Sequence, residues 1–209
     1  ESKDMLEGVT FVDDKMILNY MKDASSHAYV YSMDGKQLSE IKLPTLGSAS
    51  FYGEKDRKEV FYSFSSFTVP TTIYQYDLAT TNSKVYAAPK VKFKESDYVC
   101  EQVFYPSKDG TKIPLFITYK KGLKRNGKNP VFLYAYGGFN IALTPYFSSV
   151  RIPFIENGGI YAQASLRGGS EYGEEWHIAG TKIQKQNVFD DFISAGEWLI
   201  ENKYTSKDY

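Results

Sequence analysis

Over the first ninety residues, hydrophobic and polar positions alternate in short runs separated by turn residues. Beyond them the apolar blocks lengthen and spread apart. Lys15 to Tyr20, Ala28 to Ser32, Glu59 to Phe64 and Thr72 to Tyr76 are rich in aromatic and β-branched residues, which predicts strands. Asp34-Gly35 between two such runs is a hairpin signal. The pattern also recurs. KMILNY aligns with EVFYSF 44 residues on, YVYS with YQYD 45 on, and Pro44 with Pro89 45 on. A period of about 40–45 residues suits a four-stranded propeller blade; a meander or sandwich with chance spacing is the other reading. Two blades do not close a ring of about four to eight, so on the propeller reading residues 1–90 are only part of one.

The second half, residues 91–209, alternates strands with longer segments. Gln102 to Tyr105 and Thr111 to Tyr119 flank Asp109-Gly110 and predict a hairpin. Pro130 to Tyr134 and Gly159 to Ala164 read as buried strands of a mostly parallel sheet. Val188 to Asn202 predicts a helix whose buried face carries Phe189, Phe192, Ile193, Gly196, Leu199 and Ile200, with Asn187 and Asp190 as its N-cap pair. Strand, long connection, strand and helix in that order predict the beginning of an α/β domain.

Composition narrows the function classes. Of 209 residues, 42% are hydrophobic and 24% charged, enough apolar surface for one good core or two small ones. The 25 basic and 25 acidic residues cancel, so no global field favours nucleic acid or an anionic membrane. Cys100, the single cysteine, excludes an internal disulfide or a cysteine-built zinc site and is expected to be buried. No apolar run approaches the roughly 18 residues of a membrane helix, and Glu1-Ser2-Lys3-Asp4 begins no signal peptide. A soluble protein is expected, cytoplasmic or periplasmic. The chain has no initiator methionine and stops just past a helical segment, so it is expected to be a piece of something longer.

Candidate chemistry gathers at two glycine-rich stretches. Open α/β sheets bind ligands beyond the carboxyl ends of their strands, and Tyr136-Gly137-Gly138-Phe139-Asn140 follows one such strand directly. A tyrosine hydroxyl, protonated near neutral pH, is a donor able to stabilise an oxyanion. Taken alone, the stretch reads first as a packed ring above a tight turn. In the second stretch, Arg167 with Gly168 and Gly169 places a guanidinium where it forks onto carboxylates or carbonyls and fixes two loops, a structural salt bridge being the first reading. Asp190 and Asp191 read as a helix N-terminus, His27 as a strand-edge residue. No serine stands in G-x-S-x-G.

Taken together, VFYPSKDGTKIPLFI, FLYAYGGFN, RGGSEYGEEWH and QNVFDDFISAGEWLI resemble prolyl oligopeptidases, serine peptidases that join a seven-bladed β-propeller to an α/β-hydrolase domain. The resemblance spans essentially the whole chain and is densest from Val103 to Tyr209. It implies all-β blades at 1–90, the last of their propeller, followed at 91–209 by the N-terminal half of a hydrolase sheet truncated before the nucleophile elbow. Oligopeptidase B, a sister that cuts after basic residues, typically has serine and tyrosine where this chain has Gly138 and Phe139 and lacks its Trp176-His177 pair, so the proline-specific branch is the better match. The resemblance implies that Tyr136 completes an oxyanion hole, that Phe139 lines a proline pocket, and that Gly137 and Gly138 let the chain turn so that both rings face one substrate. It makes His177 structural and leaves no triad residue in this chain. It further implies a monomeric parent that cleaves short proline-containing peptides through an acyl-enzyme, without cofactor, metal, nucleic acid or membrane. The 209 residues alone are expected to be inactive and to fold poorly. A non-catalytic peptide-binding module is the alternative from a different class.

Overall fold

The computed structural model describes residues 4–209, which form two compact units. The first comprises residues up to Lys92 together with Thr144–Phe147, and the second Phe93–Leu143 with Ser148–Tyr209.

The first unit is two four-stranded antiparallel meanders. One runs β1 (Met5–Val12), β2 (Lys15–Lys22), β3 (Ser25–Ser32) and β4 (Gln37–Ile41); the other runs β5 (Ser48–Gly53), β6 (Val60–Ser65), β7 (Thr72–Asp77) and β8 (Asn82–Ala87). The repeat seen in the sequence superposes β2 on β6 and β3 on β7, the inner strands of each meander. Alternation explains why these residues form strands: in β6, Val60, Tyr62 and Phe64 are buried while Phe61, Ser63 and Ser65 lie between them, partly exposed. The inward residues of both meanders form one apolar cluster that includes Val12, Ile17, Val30, Ile41, Val60, Tyr62 and Phe64. Polar bonds lace the two together. The Asn19 amide donates to the Ala49 carbonyl at 3.1 Å, and the Ala49 N–H to Ser26 Oγ at 3.0 Å. His27 lies in β3, an inner strand paired with both β2 and β4, rather than at an edge.

The second unit holds a four-stranded sheet of β9 (Tyr98–Pro106), β10 (Lys112–Lys120), β11 (Val131–Tyr134) and β12 (Ile160–Ala164), in the order β11-β12-β10-β9. Only β11 and β12 are parallel, while β12–β10 and β10–β9 are antiparallel. The sheet is therefore mixed where the sequence suggested a mostly parallel one, because the hairpin contributes half of its strands. β10 and β12 are buried on both faces, so they read as continuous apolar runs. Helices α1 (Ile152–Glu156), α2 (Glu174–Ile178) and α3 (Gln186–Glu201) complete the unit.

Helix α3 departs from its sequence-based description in two ways. Its buried stripe is Val188, Asp191, Ala195 and Leu199; of the predicted face only Leu199 is buried, while Phe189, Phe192, Ile193 and Ile200 are exposed. Two apolar stripes run along this helix one residue apart, and periodicity favoured the bulkier. The sheet instead takes the stripe of smaller residues, together with a buried aspartate. Nor does a side chain cap the N-terminus at Lys185. Asn187 donates to the Ala179 carbonyl and Asp190 accepts from Gln186, while Asp191 belongs to the interior.

Candidate active site

The site is assembled where β11 and β12 end. Strand β11 runs straight into the Tyr136–Asn140 turn, whose left-handed positions are Gly137 (φ +63°), Phe139 (φ 52°) and Asn140 (φ 56°). Gly137 is required by space as well: a Cβ there would stand 2.5 Å from Val188 Cγ1 and 3.0 Å from Leu166 Cβ. Gly138 is different. Its φ lies outside the left-handed region, and a Cβ on it would meet nothing nearer than Lys185 Nζ at 3.8 Å, so neither conformation nor space demands a glycine there. The turn is made by its neighbours.

This turn displays its two aromatics. Phe139 is 83% exposed and Tyr136 45%, with ring centroids 6.4 Å apart and planes tilted by 31°. A bulky residue in the left-handed region costs on the order of 1 kcal/mol or more, and an exposed phenyl ring adds nothing to the core. Neither feature is accounted for by the packing of the core.

Three further strands of chain support the turn. The Asn140 N–H donates to the Gly168 carbonyl at 3.1 Å, and the Lys185 ammonium donates to the Gly137 carbonyl at 2.8 Å. Gly168 (φ +93°) comes so close that a Cβ on it would lie 2.8 Å from the Gly137 oxygen. From the other side, a Cβ on Gly180 would stand 2.4 Å from Gly168 N and 2.5 Å from Arg167 C. His177 Nδ1 donates to the Gly168 carbonyl at 2.8 Å, and the Trp176 indole donates to the Leu166 carbonyl at 3.0 Å. Backbone is thus packed on backbone, and only glycine leaves room for it.

Arg167 lies beneath, buried, and its guanidinium grips Asp191 of α3 through Nε and Nη2 at 3.0 and 2.6 Å, and Asp109 of the β9–β10 turn through Nη1 at 2.6 Å. Burial by itself would lower the Arg167 pKa; the Asp191 and Asp109 hydrogen bonds outweigh it and raise it. The same bond holds the Asp109 carboxyl down at about 2. Ser107 donates to Asp191 as well, at 2.6 Å. The cluster ties together the end of β12, the hairpin and α3. Gly169, next in line, leaves the space that the Glu171 carboxyl fills, since a Cβ there would stand 2.2 Å from Glu171 Oε2.

Sequence reasoning thus named Tyr136, Gly137, Phe139, Arg167, Gly168 and Gly169, all of which the fold gathers around one turn. It missed Lys185, Glu171, Gly180 and the partner role of Asp191. Gly180 carried a legible signal as a glycine shortly after a short helix; the others act through contacts that spacing does not encode. Cys100 is half-buried on β9, opposite Thr118, and burial pushes its thiol up to about 11. Among the described residues no cluster of three or more His, Cys, Asp and Glu is placed to hold a metal ion, and no helix is long and apolar enough to cross a membrane.

Comparisons with known proteins agree with this architecture. The family model described as the prolyl oligopeptidase N-terminal beta-propeller domain matches residues 1–89, and that of the prolyl oligopeptidase family matches residues 145–209. The prolyl endopeptidase of Elizabethkingia meningoseptica is 59% identical over 191 residues, 91% of this chain and 27% of that protein. The prolyl endopeptidase of Dictyostelium discoideum is 43% identical over 199 residues, 93% of this chain and 26% of that one. Among solved structures, prolyl oligopeptidase B from Galerina marginata bound to a 25mer macrocyclization substrate superposes with a TM-score of 0.92 at 36% identity, over 99% of this chain and 30% of that one. This chain spans about a quarter of the length of the relatives it matches. Blade repeats, mixed sheet and glycine-packed turn have one common setting: the chain belongs to the prolyl oligopeptidase family, and consists of β-propeller blades followed by the first part of the α/β-hydrolase domain.

Proposed function

We propose that this chain is part of a serine peptidase that cleaves short peptides on the carboxyl side of proline through an acyl-enzyme. The observation that carries the reading is the turn at the end of β11, which holds a hydroxyl-bearing ring and an apolar ring side by side and exposed, at a cost in backbone strain. Tyr136 donates a hydrogen bond to the oxyanion of the tetrahedral intermediate, a contribution of about 2.7–4 kcal/mol in the transition state for such a donor. Phe139 packs against the flat pyrrolidine of the residue before the scissile bond, and apolar contact of that kind discriminates by about 1–3 kcal/mol. Arg167, Gly168 and Gly169 hold the opposing loop. The nucleophile, acid and histidine come from polypeptide outside these 209 residues, with 1–90 as the last blades of the propeller and 91–209 as the hydrolase segment before its elbow. The substrate is a short proline-containing peptide and the parent enzyme is monomeric.

The test is expression from the complete reading frame, followed by hydrolysis of a peptide with a chromogenic leaving group after proline and of its alanine counterpart. Serine-directed inhibition together with a preference for proline is the expected result. Absence of hydrolysis of either peptide overturns the reading.

A further inference from the structure

Glu171 is a buried carboxyl to which the reading above gives no role. It is 2% exposed, and its two oxygens are treated unequally. Oε1 accepts the Leu143 N–H at 2.9 Å, whereas Oε2 is fully buried with no hydrogen-bond partner. The Ile141 oxygen and Glu171 Oε2 both crowd the place where a Cβ on Gly169 would stand, 2.8 and 2.2 Å from it. Ile141 and Leu143 form the outgoing limb of the Tyr136–Asn140 turn, and the Ile141 N–H closes that turn on the Gly138 carbonyl at 3.1 Å.

We propose that Glu171 is a positioning residue of the candidate active site, its buried carboxyl gripping the outgoing limb of the turn at the Leu143 N–H through Oε1. Oε2 is out of water and without a hydrogen-bond partner, and burial of that kind penalises the charged form and favours the protonated acid. Burial lifts the Glu171 pKa to about 7, opposed by the Leu143 N–H, its own N–H and the Trp176 indole. The charged groups around it are engaged elsewhere or lie in solvent. Arg167 is held by Asp191 and Asp109, His177 by the Gly168 carbonyl and Lys185 by the Gly137 carbonyl, while Glu174 and Glu175 are exposed. Among the described residues no cation stands ready to compensate an ionised Glu171, so the neutral acid is the form that fits. In a detached limb the carboxyl is hydrated and titrates at its ordinary value, and the attached form is lost as pH rises from that value to about 7.

The inference rests on the proposed roles of Tyr136 and Phe139 for what the grip positions, and the two fail separately. The measurement is hydrogen exchange at the Leu143 amide in the protein expressed from the complete reading frame, corrected for intrinsic exchange. Protection is expected to fall about tenfold per pH unit between about pH 4.5 and 7 and then level off. E171Q, a neutral amide of the same shape, is expected to keep protection and abolish the slope, with turnover intact. E171L is expected to lose protection at every pH and to lower kcat about tenfold or more through a displaced turn. Exchange at Leu115 in β10 reports the global fold, so a variant that unfolds is recognised and the unmodified protein's profile then decides alone. A flat profile in that protein, the same slope in E171Q, or equal kcat in a folded E171L overturns the proposal. If Y136F leaves turnover unchanged while the Leu143 slope holds, the oxyanion role falls and the grip of Glu171 on the limb stands.

Discussion

Arg167 and Asp191 meet in the interior of the second unit, with Nη2 2.6 Å from Oδ1, the arginine 4% exposed and the aspartate fully buried. Removing one member of such a pair leaves the other charged and without its partner, whereas replacing both with apolar groups removes the problem altogether. R167M is therefore expected to destabilise by about 3–5 kcal/mol, and the double variant R167M/D191L to recover a large part of that loss. Urea unfolding of the two singles and the double measures the coupling. Additive losses would show that the pair is not a unit.

Acid should act on the same cluster through Asp109. Its folded pKa, about 2, lies below the ordinary 3.8 because Arg167 donates to it. The folded state therefore binds fewer protons than the unfolded one, and the stabilisation is complete above about pH 4 and lost as pH falls through 2. Half of the Asp109 side chain is in solvent, so the effect is reduced by screening. D109N should remove this component of the acid transition, as read from the urea midpoint against pH. Glu171, with its raised pKa, acts in the opposite direction between about pH 4.5 and 7, so the joint contribution of these two carboxyls is greatest at about pH 4–5.

The glycines around the turn are not equivalent. A Cβ on Gly180 meets main-chain atoms at 2.4 and 2.5 Å, which no rotamer change relieves, whereas one on Gly138 meets only the end of a flexible lysine at 3.8 Å. G180A is expected to cost about 1–3 kcal/mol or more; G138A should lie within about 0.5 kcal/mol of the unmodified protein. Thermal melting of the two variants tests the contrast.

Tyr136 and Phe139 should separate in kinetics. Y136F keeps the ring and loses the donor, so kcat should fall about 10²–10³-fold with KM little changed. In its proposed role Phe139 trades stability for contact. F139G relieves the left-handed strain and is expected to stabilise by about 1 kcal/mol while lowering kcat/KM for proline over alanine about tenfold or more. Steady-state rates on the paired peptides, with melting of the same samples, read both effects.

Local chemistry was enough to read much of this protein in advance. Alternation in Lys15–Tyr20 and Glu59–Phe64, turn residues at Asp34-Gly35 and Asp109-Gly110, and the 45-residue spacing are properties of neighbouring residues, and each is met by a strand, a turn or a repeated meander. The same holds for the place of the Tyr136–Asn140 turn, since a glycine following an apolar strand is a local signal, although β11 is partly exposed where the sequence suggested a buried strand.

What the tertiary structure alone decided are the matters that depend on partners distant in the chain. Helix α3 carries two apolar stripes, and the sheet took the one with Ala195 because smaller side chains let helix and strands approach. Asp191 looked like the start of a helix and became a buried counter-ion, because Arg167, 24 residues away, had been brought beneath it. Gly138 looked like a hinge and is not one, whereas Gly180 became indispensable only when two loops met across it. Glu171, one acid among many in the sequence, acquired a distinct environment when folding took its second oxygen out of water without a hydrogen-bond partner. Periodicity records which residues prefer to be buried; desolvation and close approach are created only when the chain folds.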